Sequence, residues 1–596
     1  MRAPHPAAPA AAFLSLHLFP VAGVACLWGV DAGRYIPPWA AAVLAGLAAA
    51  LFVPGAYRVA ARSARRVASH PVGLAAGLTA VAAVVFVVLR SAGHLLGDGI
   101  LHLHDFDRIR QAPVGFRDLT WDNNNAPLAN WIVWAVQKMG SRAWGDSLTT
   151  FHVLATAAGV AWTAGSVWAA WRLSPGGGGR ATVLAFLLTG GWMQLFAGYV
   201  EMYAALPPLV LLFLVLGAAG GMRGAWGAAF VLGVLIALHF AAVSLAPGLA
   251  FAEHAGSRRG TRIRDAVGRL AVAAVTAAGL LALLGFDAGA YLAAPREALL
   301  PLGEPGPRQA YGMFAPAHFL DVLNQLLLTA PAALMGLALL RRGGGSAASR
   351  FLGTAALGPL LLAFVVNPEV GAFRDWDALA FAAVPLTVWV AVRLATAPGP
   401  PAGRTAFLLG GAAGLHTLAW LAANADAAAV ERRFVTLLEA CPVSAHATAY
   451  GWESVAQLRM ESGRREDACR AFENAALGAP DNPRYWYAAG RLHLEAGRPR
   501  EAEDRLRKTL QLDPERVDAL VAAGTLALAR GDAAGGGSLL TRAVRLEPAN
   551  ADAWFQLARA MEQAGNPDGA RAAAERFLQL EPSGPRADRM RDVPAP

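Results

Sequence analysis

The sequence predicts an all-α protein in two parts: a polytopic membrane helix bundle over residues 1–423, followed by a solenoid of helical repeats. Two observations predict this. Of 596 residues, 56% are hydrophobic and only 16% charged, against roughly 25% charge in an ordinary soluble domain. The surplus apolar surface must face something other than water. Further on, a proline recurs at Pro480, Pro514, Pro548 and Pro582, a constant interval of 34 residues, which marks stacked helix pairs.

The apolar runs come first. Segments such as 71–90 and 378–394 hold no acid, and roughly 20 such residues cross a hydrocarbon core about 30 Å thick. Thirteen spans are expected on this basis, near 11–30, 38–54, 71–90, 148–171, 181–198, 203–219, 225–238, 240–252, 266–286, 319–340, 351–367, 378–394 and 404–423. The run 11–30 resembles a signal peptide in composition, but it is long and 38–54 follows closely, so residues 1–70 read as an N-terminal membrane hairpin. The stretch 225–252 is short for two spans and reads as two half-length helices meeting near His239. One span there would reverse the side of every later loop.

Charge sorts the loops. Arg58–Arg66, Arg172–Arg180, Arg223, Arg258–Arg269, Arg341–Arg350 and Arg393–Arg404 lie in nearly acid-free loops, while Asp98–Asp122, Glu201, Asp287–Glu304 and Glu369–Asp377 hold most of the acids. Lys and Arg concentrate on the cytoplasmic side, so the acidic set is expected in the periplasm of a bacterial inner membrane. An odd number of spans puts the C-terminal region there too. The net charge of +9 is spread along these loops, not gathered on one amphipathic face, which argues against nucleic acid. Cys26, Cys441 and Cys469 lack metal-ligand spacing. A Cys441–Cys469 disulfide or two buried free thiols would both fit, with Cys26 inside a span.

After residue 423, residues 424–448 read as a linker or capping helix, 449–584 as four repeats and 585–596 as a tail. Trp452, Trp486 and Trp554 share one register, Gly490 and Gly524 another, and Ala468, Ala502 and Ala570 a third. These registers resemble the tetratricopeptide repeat, whose helix pairs bury their apolar faces only by stacking. The resemblance implies a groove for a peptide or protein partner; a spacer or stabilising cap is the plainer reading. The third repeat has Leu520 in the Trp register and Gly535–Gly537 where helix formers belong, so fraying is expected there.

Candidate chemistry lies at the acidic loops. Loop 91–127 carries Gly97-Asp98-Gly99 just beyond a span, and glycines let a ligand approach the backbone closely. The other patches are FAGYVEMYA around Glu201 and NPEVGAFRDWDALAF around Asp375 and Asp377. With Pro127-Leu128 closing the first loop, these stretches resemble the GT-C class of multi-spanning glycosyltransferases over roughly residues 71–423. The resemblance implies an inverting transfer of sugar from a polyprenyl-phosphate donor held in membrane lipid to a periplasmic acceptor (protein, lipid or glycan). It implies Asp98 as base, and Arg374 suits the lipid phosphate as a fork of donors. Tyr199, Glu201, His239, Asp375 and Asp377 would contact substrate.

Plainer readings exist for each residue. Asp98 could cap a turn, Glu201 could be a solvated acid, Arg374 and Asp377 could pair, and His239 could be a packed core histidine. His102, His104, Asp105 and Asp107 are ligand types for a divalent cation, though so dense a polar string also makes a solvated loop. No other cofactor is expected. The competing functions are a transporter or lipid-carrier flippase, and a non-catalytic membrane scaffold presenting the repeats.

Overall fold

The computed structural model describes residues 5–17, 26–67, 71–111, 125–140, 143–252, 259–293, 298–340, 346–396 and 402–592. Among them every regular element is helical, apart from an isolated antiparallel bridge between Leu299 and Val366. The chain divides into two compact units, Met1–Ser444 and Ala445–Pro596.

Seven described helices in the first unit are long and apolar enough to cross a membrane: Pro71–Val88, Ser147–Leu173, Gly221–Leu238, Ile263–Leu284, Ala347–Val365, Trp376–Thr396 and Ala402–Asn424. The expectation of thirteen spans is corrected to these, or eight if Pro316–Thr329 and Pro331–Leu337, bent by 109°, form one broken span. Helix breaks account for the difference. Residues 181–198 divide into Gly177–Leu187 and a 3-10 turn at Gly191–Phe196, where Gly191 lies against the Leu328 carbonyl with no room for a Cβ. The 203–219 run starts as a helix only at Leu206, with prolines in its first turn. Leu206–Ala219 and Pro38–Leu51 have 14 residues each, about 21 Å of helix and short of the bilayer core. Ala7–Leu16 has only 10, and residues 18–25 lie outside the described set. The half-length pair expected at 225–252 is instead one full helix, Gly221–Leu238, followed by the short Phe240–Leu249.

The ends of this bundle differ in charge. At one end stand Arg172, Arg223, Arg350, Arg393 and Arg404, in the terminal turns of their helices; here Thr182 Oγ1 donates to the Ala402 carbonyl at 2.8 Å. At the other, Ser91 N donates to Ala197 O (2.8 Å), Ala92 N to Asn424 O (2.9 Å) and Gly97 N to Arg374 O (3.0 Å). These bonds tie together the ends that carry Asp98, Glu201 and Asp377.

The stretch around Trp28 is built into the bundle. Trp28 Nε1 donates to Asp321 at 2.8 Å, and Arg433 meets Asp31 at 2.8 Å with both side chains 5% exposed. Cys26 is bonded to Cys441, while Cys469 is free and buried. This corrects the Cys441–Cys469 alternative: Cys441 ends the Ala427–Ala440 helix, which Arg433 fastens onto residues 28–31.

In the second unit the repeats are the pairs Ala445–Glu461 with Arg465–Gly478, Pro483–Glu495 with Pro499–Leu512, Val517–Ala529 with Ala533–Leu546, and Ala551–Gln563 with Pro567–Leu580; the helix Pro585–Arg591 follows. Each first helix ends on a glycine with positive φ: Gly463, Gly497, Gly531 and Gly565. The next residue's N–H reaches back five residues, Arg464 to Arg459, Arg498 to His493, Asp532 to Ala527 and Asn566 to Met561, each at 2.8–3.0 Å. That is a left-handed helix cap, which only glycine adopts without strain. The register tryptophans bond the period prolines: Trp486 Nε1 to Pro480 O and Trp554 Nε1 to Pro548 O. The third repeat is not frayed. Asp532 caps its second helix by accepting from Gly535 N at 2.8 Å, and Gly536 and Gly537 are buried.

Candidate functional site

The acidic patches meet around one glycine. Gly97 has φ +63°, and a Cβ there would collide with Glu201 Oε1 and lie 2.6 Å from Asp377 Oδ2 and 3.1 Å from the Tyr199 hydroxyl. Three stretches of sequence, 97–102, 199–203 and 374–377, thus share a centre that has no space for a side chain.

The turn is held from both sides. Gly97 N donates to Arg374 O, and Arg374 Nε donates back to Gly97 O, both at 3.0 Å. Arg374 is only 2% exposed, its guanidinium 5.7 Å from the Phe434 ring, and its backbone and Nε clamp this turn. Glu201 is similarly engaged. Its Oε1 accepts from Asp98 N at 2.6 Å, and Oε2 accepts from Met202 N and faces His102 Nε2, each at 3.3 Å. A buried carboxylate of this kind stands only because donors surround it.

Asp98 itself is half-buried. Burial and the neighbouring Glu201 charge hold its carboxyl above the usual range, against the pull of Arg374 and His102. Asp375 accepts from Val370 N at 3.3 Å, and burial together with the Asp98 charge pushes it up to about 8. Asp377 Oδ1 accepts from Ala378 N at 2.8 Å, while its buried Oδ2 faces Gly97. Tyr199 accepts from Trp376 Nε1 at 3.1 Å, and burial with the Asp377 and Glu201 charges keeps its hydroxyl protonated. The centre therefore combines carboxyls raised by burial and like charge, the condition in which an acid exchanges a proton near neutral pH.

His239 stands behind this layer. Its Nδ1 accepts from Ala241 N at 3.1 Å, its ring lies edge-on to Tyr203 at 5.0 Å, and burial pushes it down to about 4. The string His102, His104, Asp105 and Asp107 is dispersed along the helix Gly99–Gln111. His102 turns to Glu201, and Asp107 accepts from Ser147 Oγ at 2.6 Å; the His104 side chain lies outside the described residues. Burial opposes charging His102, but Glu201, Asp98 and Asp105 together outweigh it and the imidazole is raised. Among the described residues no group of three or more His, Cys, Asp or Glu could hold a metal ion.

Several neighbours carried no signal in the sequence. Gln325 Nε2 donates to Trp376 O at 2.6 Å from the broken Pro316–Thr329 helix. Arg90, His94 and His152 crowd the Gly198 and Gly99 turns. None belongs to a short motif; only the fold brings them here.

In comparison with known proteins, the family described as the cilia and flagella-associated protein 70 middle TPR-like domain matches residues 452–581. No curated protein matches the chain. Solved structures resemble part of it. MamA (residues 41 to the end) from Desulfovibrio magneticus RS-1 is 22% identical over 22% of this chain and 76% of that one, with a TM-score of 0.22. YrrB, described as a TPR protein with an unusual peptide-binding site, is 16% identical over 27% and 82%, with a TM-score of 0.25. A tetratricopeptide repeat protein from Parabacteroides merdae is 15% identical over 27% and 65%, also at 0.25. The family match over residues 452–581 and the four helix pairs at a 34-residue interval make the second unit a tetratricopeptide-like array.

Proposed function

We propose that the chain is a bacterial inner-membrane glycosyltransferase of the GT-C kind, moving a sugar from a polyprenyl-phosphate donor to a periplasmic acceptor, with the repeats recruiting that acceptor or a partner protein. The observation that carries this reading is the meeting of Asp98, Glu201, Asp375 and Asp377 around Gly97, drawn from three distant stretches of sequence. Apolar surface supports the membrane setting. The helix Pro71–Val88 has a mean hydropathy of 2.3 with only 6% of it buried, a face that water would not tolerate and lipid would cover. The acids then sit at the end of the bundle opposite the arginines, which the charge rule assigns to the periplasmic side.

In this mechanism the acceptor's hydroxyl or amide attacks the sugar's anomeric carbon as the bond to the carrier phosphate breaks. The proton passes to Asp98, and the polyprenyl phosphate leaves with the bonding pair. A raised carboxyl suits a base whose strength must approach the working pH. Glu201 and Arg374 hold the Gly97–Asp98 peptide, so they position the base rather than contact the sugar. A single displacement inverts the anomeric centre.

The test uses the full chain in proteoliposomes with a radiolabelled lipid-linked sugar and a membrane extract as acceptor source. Asp98→Asn is expected to lower transfer by about a thousandfold or more, the scale of losing a general base and its organised site. Full activity in that variant would remove Asp98 from the reaction.

A further inference from the structure

The arginine-bearing end of the first unit carries a groove that sugar transfer does not use. It runs between the helices Ala347–Val365 and Ala383–Thr396, with Phe251 on its lining, and holds about 510 Å³. Arg350 stands in the first turn of one helix and Arg393 in the last turn of the other, so the antiparallel pair brings both to the same end of the groove. Away from them the lining is apolar, with Leu357, Leu360 and Leu386. Trp389 lies over Gly353, where an added Cβ would come within 3.1 Å of its Nε1. None of the described residues lining the groove is acidic.

The length of the groove fits one leaflet of a bilayer. From Arg350 to Leu360 the helix rises about 15 Å, half of a hydrocarbon core about 30 Å thick. Leu357 is 54% exposed along this stretch, an apolar face that an acyl chain would cover. We propose that the groove binds one anionic glycerophospholipid, its phosphate between Arg350 and Arg393 and an acyl chain along Leu357, Leu360 and Leu386. Charge selects the headgroup: two guanidiniums on a lining with no described acid suit a phosphodiester of net negative charge better than a zwitterion. Trp389 is one helical turn inward from Arg393, the interfacial depth that indole rings favour. The site rests on the membrane setting proposed above and is independent of sugar transfer, since the acids around Gly97 lie at the opposite end of the bundle.

The test places the full chain in nanodiscs of phosphatidylcholine and phosphatidylglycerol in equal parts and identifies, by native mass spectrometry, the lipid retained after ejection from the disc. Phosphatidylglycerol is expected to be enriched about twentyfold over phosphatidylcholine on the parent, and Arg350→Gln or Arg393→Gln should each cut that enrichment about fivefold. Leu357→Trp fills the apolar part of the groove while both arginines stay, and should lose the retained lipid; being an exposed position, it also serves if the arginine variants do not fold. Arg172→Gln, exposed at the same end but outside the groove, should retain lipid as the parent does. No enrichment on the parent, an equal fall in Arg172→Gln, or unchanged retention in Leu357→Trp overturns the site. A chain that does not enter the discs overturns the membrane setting and this site with it, whereas retained phosphatidylglycerol without sugar transfer contradicts the transfer reading alone.

Discussion

The two units of this protein place charge in opposite ways. In Met1–Ser444 the charges at the site are buried: Glu201 and Asp377 are 5% and 3% exposed and share one turn with Arg374. In Ala445–Pro596 most are half-buried or exposed and link successive repeats, as in Arg505 to Glu473 at 2.8 Å and Arg498 to Glu466 at 3.4 Å. The repeat array is held by small buried residues at each crossing, such as Ala468, Ala502 and Ala570, and its exposed ion pairs add little. Buried charge, by contrast, costs desolvation energy that a hydrophobic replacement would avoid. Where a fold keeps such a cluster, its use lies in chemistry or in holding a defined geometry.

That contrast can be broken by substitution. The largest effect is expected from Arg433→Ala, which leaves Asp31 buried without its partner and costs about 4 kcal/mol of stability. The matched change in the repeats, Arg507→Ala, removes exposed pairs to Glu503 and Asp504 and should stay within about 0.5 kcal/mol. Urea unfolding of each variant, followed separately for the two units, measures the ratio. Comparable losses would erase the distinction. Gly97→Ala combines a left-handed backbone with a collision against Glu201, and a loss of about 3 kcal/mol is expected.

A pH series sharpens the same point. Asp375 is raised from 3.8 to about 8 in the fold. The unfolded chain therefore loses its proton first, so this residue's contribution is intact below about pH 4 and is lost as pH rises toward about 8. Thermal unfolding should show that decline in the parent and a shallower one in Asp375→Asn. The smallest change expected is a gain. Gly537 sits inside a helix, where an added Cβ would meet only Ala560 Cβ at an ordinary 3.8 Å, so Gly537→Ala should stabilise the array by up to about 1 kcal/mol.

The repeat unit was legible because its information is periodic and local: prolines at the 34-residue interval, tryptophans in one register, small residues at the crossings. The equally periodic Gly463, Gly497, Gly531 and Gly565 carry the same message and would have strengthened it. The three-glycine run misled, because helix propensity was weighed there without the Asp532 cap or the neighbouring helix that buries Gly536 and Gly537. The first unit was less legible. Hydropathy finds apolar runs but not the breaks within them; the turn at Gly191 and the bend at Ala330 and Pro331 depend on what packs alongside. At the candidate site, the acidic residue types marked stretches that converge on Gly97. Their roles were not marked, since a clamp such as Arg374 and a ligand-facing arginine look alike in sequence. Cys26 and Cys441 are separated by 415 residues, and no local pattern pairs them.

The central claim is that the carboxyl on the Gly97 turn is kept for chemistry at the expense of stability. Thermal unfolding and sugar transfer, measured on the same preparation of Asp98→Asn at neutral pH, test it together. Burial and Glu201 hold Asp98 above its ordinary range, so a neutral amide should leave the unfolding temperature unchanged or higher while transfer disappears. A variant that unfolds at lower temperature yet transfers sugar at the parent rate would show Asp98 to be a structural residue.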